Sequence, residues 1–62
     1  MRTIKGIRAD LGFTQREFAK LMGVSTVSWN QKENGKASLL ARELMLIHKM
    51  SGIPVEQIEI PK

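Results

Sequence analysis

Sixty-two residues, 42% of them hydrophobic, suit one small domain, and the absence of cysteine excludes a disulfide or a thiolate metal site. A single histidine and no carboxylate cluster at metal-ligating spacing leave little for catalysis. Neither an enzyme, a cofactor nor a metal is therefore expected, and no apolar run approaches the roughly 18 residues of a membrane span. The net charge is +4. Residues 1–38 hold Arg2, Lys5, Arg8, Arg16, Lys20, Lys32 and Lys36 against Asp10, Glu17 and Glu33, while the rest balances. A one-faced polyanion binder would carry such a distribution.

Thr3 is an N-cap candidate for a first helix whose stripe is Ile4, Ile7 and Leu11, with Gly12 as its stop. Gly6 in mid-helix costs about 1 kcal/mol against alanine and reads as a tolerated defect. Phe13 precedes the next cap, where it suits a hydrophobic staple. Thr14 and Glu17 form a capping-box pattern, Phe18, Leu21 and Met22 repeat at helical spacing, and Gly23 ends that helix. Only Val24 separates Gly23 from Ser25, the N-cap candidate of a third helix running from about Thr26 to Glu33, which Asn34-Gly35 closes. Helices joined so tightly must cross steeply, with Ala19 at the contact and Trp29 beneath. This is helix-turn-helix geometry, whose second helix can project into the DNA major groove. A fourth helix is expected from about Ser38 to Ser51, stopped by Gly52, with Leu40, Leu44 and Ile47 as its stripe and His48 as a packing residue. Pro54 suits the start of a short last helix through Ile58, and the final residues alternate as an extended segment would.

Thr14-Gln15, Ala19, Gly23-Val24-Ser25 and Glu33-Asn34-Gly35, all in register, resemble the lambda repressor/Cro-type helix-turn-helix family, also called the XRE family. The resemblance extends from about Ile4 to Ile58. It implies an all-α fold: a compact bundle of about five short helices forming one domain over residues 1–62, with the helix-turn-helix at 14–34 and a C-terminal tail at 53–62.

By that resemblance, Thr26, Val27 and Gln31 read bases, with Ser28 nearby. Gln31 has the geometry to bond adenine N6 and N7, and the Val27 or Thr26 methyls can pack on a thymine methyl. Gln15 opens the second helix, where free N–H groups and the helix dipole favour an anion, and the family's Thr-Gln motif clamps phosphate. Arg8, Arg16, Asn34 and Lys36 are the other expected phosphate contacts, and Arg8 is also expected to pair with Glu33. Two residues depart from the family pattern. Trp29 stands where isoleucine or valine is usual and is expected in the core; reading it as the family's tryptophan beside Glu-Asn-Gly would require a three-residue insertion. Lys32 stands at an often apolar position, and its ammonium is expected to snorkel to solvent or phosphate.

The expected activity is that of a sequence-specific transcription regulator on a double-stranded DNA operator, similar to a small phage or prophage Cro-like repressor. It would be cytoplasmic and act as a homodimer. Leu46, Met50, Ile58 and Ile60 are the candidate dimer or partner contacts. Those same apolar residues leave open a repressor modulator or antirepressor that binds another repressor protein, and an antitoxin of a toxin–antitoxin pair is a third reading.

Overall fold

Thr3 opens helix α1 (Ile4–Asp10) by accepting the Gly6 N–H on its hydroxyl at 3.0 Å. A Cβ on Gly6 would meet that hydroxyl oxygen at 3.0 Å, so this glycine serves close approach to the cap and is more than a tolerated defect. The computed structural model describes residues 1–61, in which α1 is followed by α2 (Gln15–Met22), α3 (Thr26–Glu33) and α4 (Ala41–Ser51). The chain is thus mostly helical, as expected for an all-α protein. The expected fifth helix is only a 3-10 turn, Val55–Gln57. The β-branched residues around it favour extended backbone. Ile58–Glu59 (β2) accordingly leaves the turn as a short strand and pairs in parallel with Arg2–Thr3 (β1), Arg2 opposite Ile58.

Local chemistry sets the ends of α2. The Thr14 hydroxyl accepts the Glu17 N–H at 3.1 Å, and the Glu17 carboxylate accepts the Thr14 N–H at 2.9 Å. The Thr14 N–H first, and then the Thr14 hydroxyl beside it, hold the Glu17 carboxyl below its ordinary pKa. Phe13 and Phe18 complete the staple with ring centroids 5.6 Å apart. At the far end Gly23 takes φ +75°, and its N–H and that of Val24 return to the Lys20 and Ala19 carbonyls. Ser25 caps α3 at once, accepting the Ser28 N–H at 3.1 Å.

The core holds Ile4, Ile7, Phe18, Ala19, Met22, Trp29, Ile47 and Ile58. Trp29 is fully buried and meets Phe18 edge-on at 5.3 Å, so its expected core role holds. Leu21 does not join the α2 stripe; it is 48% exposed. Lys32 does not snorkel outward. Its ammonium donates to both oxygens of Glu43 at 2.9 and 2.7 Å, and both side chains are buried.

Glu43 also explains why α4 begins at Ala41 and not at Ser38. Its carboxylate accepts the Leu40 N–H at 2.8 Å, fixing the start three residues before it, and Leu40 itself remains extended and exposed. Leu40 therefore drops out of the stripe, while Ile47 is buried and Leu44 partly so. In the last turn of α4, His48 Nδ1 lies 2.6 Å from the Ile53 carbonyl, which requires a hydrogen on that nitrogen. The Ser51 hydroxyl donates to the Ile47 carbonyl and accepts the Ile53 N–H. The tail is thus tied to its own chain. Ile58, expected at a subunit contact, is 2% exposed and lies in this core, and Leu46 and Met50 pack partly against it. Ile60 stays outside. Among the described residues no helix is long and apolar enough to cross a membrane.

Candidate nucleic-acid interface

Helix α3 divides cleanly into two sides. Trp29 and Lys32 face inward, whereas Thr26, Val27, Asn30 and Gln31 are exposed and Ser28 is half-buried. Val27 is 70% exposed at the second position of the helix. Of the expected base-reading residues, Thr26, Val27 and Gln31 are thus accessible along α3 and Ser28 only partly so.

Glu33 is the anchor that sets this face. One of its oxygens accepts from Arg8 Nε and Trp29 Nε1, each at 2.7 Å. The other accepts from Gln15 Nε2 at 3.0 Å and, more weakly, a second Arg8 nitrogen at 3.4 Å. The expected Arg8–Glu33 pair is present, and it ties α1 to the end of α3. Burial pushes the Glu33 carboxyl up, but the bonds from Arg8, Gln15 and Trp29 and the Arg8 charge outweigh it and hold its pKa below the usual value. The indole contact needs no insertion, because residues four apart stack on one helix face.

A chain of amides continues outward from this carboxylate. A carboxylate only accepts, so Gln15 must present its NH2 group to Glu33 and turn its oxygen to Asn30. Asn30 Nδ2 donates to that oxygen at 3.3 Å, and Asn34 Nδ2 donates to Asn30 Oδ1 at 3.1 Å. Each NH2 group spends one hydrogen inside the chain and keeps one to offer. Gln15, Asn30 and Asn34 are thereby held as oriented donors along the α2–α3 edge.

The cations are placed unequally. Arg16 and Lys36 are exposed. Arg8, expected at a phosphate, is turned inward to Glu33. It is 8% exposed, and its third nitrogen donates to the Phe13 carbonyl at 2.8 Å. The backbone after α3 is spent as well: the N–H groups of Asn34, Gly35, Lys36 and Ala37 all return to carbonyls of α3. Contacts from this turn would come from the Asn34 amide and the Lys36 ammonium alone.

Sequence reasoning missed three parts of this arrangement, the amide chain from Gln15 to Asn34 among them. The Trp29–Glu33 bond is visible as an i, i+4 pair once the helix is drawn. The Lys32–Glu43 pair is signalled by opposite charges at two positions that apolar periodicity assigns to the core. No metal-binding group of acidic or histidine side chains occurs among the described residues. No family model, curated protein or solved structure matches this chain.

Proposed function

We propose that this chain is a sequence-specific regulator of transcription that binds double-stranded DNA through a helix-turn-helix formed by α2 and α3. The observation that carries the reading is the two-sided α3. Its inner side is locked by Trp29, Lys32 and Glu33, and its outer side offers Thr26 and Val27 at the helix start and Gln31 one turn on. A helix so held can enter the major groove as a rigid body, and rigid support is what lets side chains discriminate bases. Gln15, Arg16, Asn34 and Lys36 flank that face as phosphate contacts, whereas Arg8 positions α3 from within. The mode of action is occupancy in the cytoplasm. Two copies place their α3 helices in successive major grooves about 34–36 Å apart on a pseudo-palindromic operator, as a Cro-like repressor does.

Selection of binding sites from a random duplex pool at near-physiological salt tests this. A pseudo-palindrome with half-sites about one turn apart supports the proposal. Retention of DNA without any enriched sequence overturns it. Gln31→Ala should lose about 1–3 kcal/mol of discrimination at one base pair of the selected site, measured by competition binding. Lys36→Ala should weaken all sequences alike and reduce the slope of log affinity against log salt by about one. A sequence-selective loss on Lys36→Ala would place that residue among the base readers instead.

The second reading, a modulator acting on another repressor protein, is favoured by one observation only. Apolar side chains of α2 and α4 remain exposed away from α3.

A further inference from the structure

Helices α2 and α4 enclose a groove of about 390 Å³, walled by Leu21, Met22, Met45 and Leu46 and flanked by Arg42 and Lys49. Leu21 and Met45 are 48% and 46% exposed and face this one space from the two helices. Methionine side chains adapt their shape to an incoming apolar group, which makes them frequent at helix-binding surfaces. The only acidic side chain lining the groove is Glu43, and its carboxylate is already satisfied by Lys32 and the Leu40 N–H. Arg42 and Lys49, by contrast, have no ion-pair partner among the described residues. They lie seven residues apart on α4, two turns along one helix face and roughly 10 Å in rise.

We propose that this groove is the docking site for an acidic amphipathic helix of another protein. Apolar residues at helical spacing would enter between Leu21 and Met45, and carboxylates flanking them would meet Arg42 and Lys49. The charges argue against a second copy of this chain. A two-fold contact through the groove would set Arg42 and Lys49 against their own counterparts. No α3 residue lines the groove, so the site is separate from the face assigned to DNA.

The test uses the full chain without DNA, so its failure leaves the DNA-binding reading untouched. Isotope-labelled protein is titrated with a helix-forming 14-residue peptide bearing leucines at i, i+3 and i+7 and flanking glutamates. Lysine-flanked and scrambled versions serve as controls. The expected result is saturable chemical-shift change at Leu21, Arg42, Met45 and Lys49, with the lysine-flanked peptide bound about tenfold more weakly. Met45→Asp should weaken the acidic peptide about tenfold. If Met45→Asp does not fold, Arg42→Glu/Lys49→Glu carries the test, because both sites are exposed and the pair should invert the preference between the two charged peptides. No saturable binding, equal binding of the scrambled peptide, or shifts centred elsewhere would overturn the proposal. So would concentration-dependent shifts at these residues without peptide, which would assign the groove to a second copy.

Discussion

Glu43→Ala should cost about 3–5 kcal/mol of unfolding free energy, measured by urea denaturation. The substitution leaves the Lys32 ammonium buried with no anion beside it, and it removes the acceptor for the Leu40 N–H at the start of α4. A chain of this length has only about 3–9 kcal/mol to lose, so the variant should be unfolded at 25 °C at the lower end of that range and lose about a third or more of its stability at the upper end. The pair itself is not expected to add that much to stability. Taking two charges out of water offsets most of what their attraction contributes. Lys32→Met/Glu43→Leu should therefore fold as well as the parent or better, despite removing every bond that the single variant loses. A large loss in the single variant with recovery in the double is the signature of desolvated charge. A single-variant cost below about 1 kcal/mol would mean that water reaches Lys32.

Glu33→Gln should be the second most damaging change, and its effect should depend on pH. The carboxylate accepts from three residues, and a glutamine would turn an NH2 group toward donors that have no use for it. A loss of about 3 kcal/mol at pH 7 is expected. The folded pKa of Glu33 lies below its ordinary value. Its contribution is therefore fully present above the unfolded glutamate pKa of about 4.3, and it disappears as pH falls through the lower folded value. The parent should lose thermal stability as pH falls from about 5 through that lowered value. Glu33→Gln, already weaker, should lose less over that interval and retain a residual slope from Glu17, whose folded pKa is also lowered. Trp29, the only tryptophan, reports on the site directly through its bond to Glu33. Its emission should change with the protonation of Glu33. Parallel pH dependence in parent and variant would show that Glu33 does not govern the acid response.

What could be read from the sequence was chemistry that acts over a few residues. The Thr14–Glu17 box, the Phe13–Phe18 staple and the glycine stop after Met22 each need only the neighbouring turn, and each is present. The Arg8–Glu33 pair came from register with a family pattern, and the core role of Trp29 from its inward position. The failures share a different cause. Apolar periodicity placed Leu21 and Leu40 inside, yet the core had room for the Lys32–Glu43 pair at that edge and left both leucines at the surface. A charge at an apolar position was read as reaching outward, because a single strand of sequence does not show the opposite charge that will fold against it. The same blindness moved the start of α4 from Ser38 to Ala41, since Glu43 is both the capping group and the buried anion. For the candidate site, the outward positions of Thr26, Val27 and Gln31 followed from helical geometry, but the amide chain from Asn34 to Gln15 did not. Its members lie on different elements and meet only after α2 and α3 have crossed.

The parallel pairing of Arg2–Thr3 with Ile58–Glu59 has a kinetic consequence. Helices α2 and α3 adjoin in the chain and can dock after closing a three-residue loop, whereas the strand pair must close almost the entire chain into a ring. Loop closure on that scale is entropically the slowest contact to win, so the helical pair forms early and the ring closes last. By microscopic reversibility the ring is also the first part to open. Ile58 lies in the same core cluster as Ile4 and Ile7, so opening the ring should expose them before α2 and α3 separate. Amide exchange should accordingly be faster at the chain's two joined ends than in the α2–α3 pair, and the presented face of α3 should outlast the transient opening of the ring.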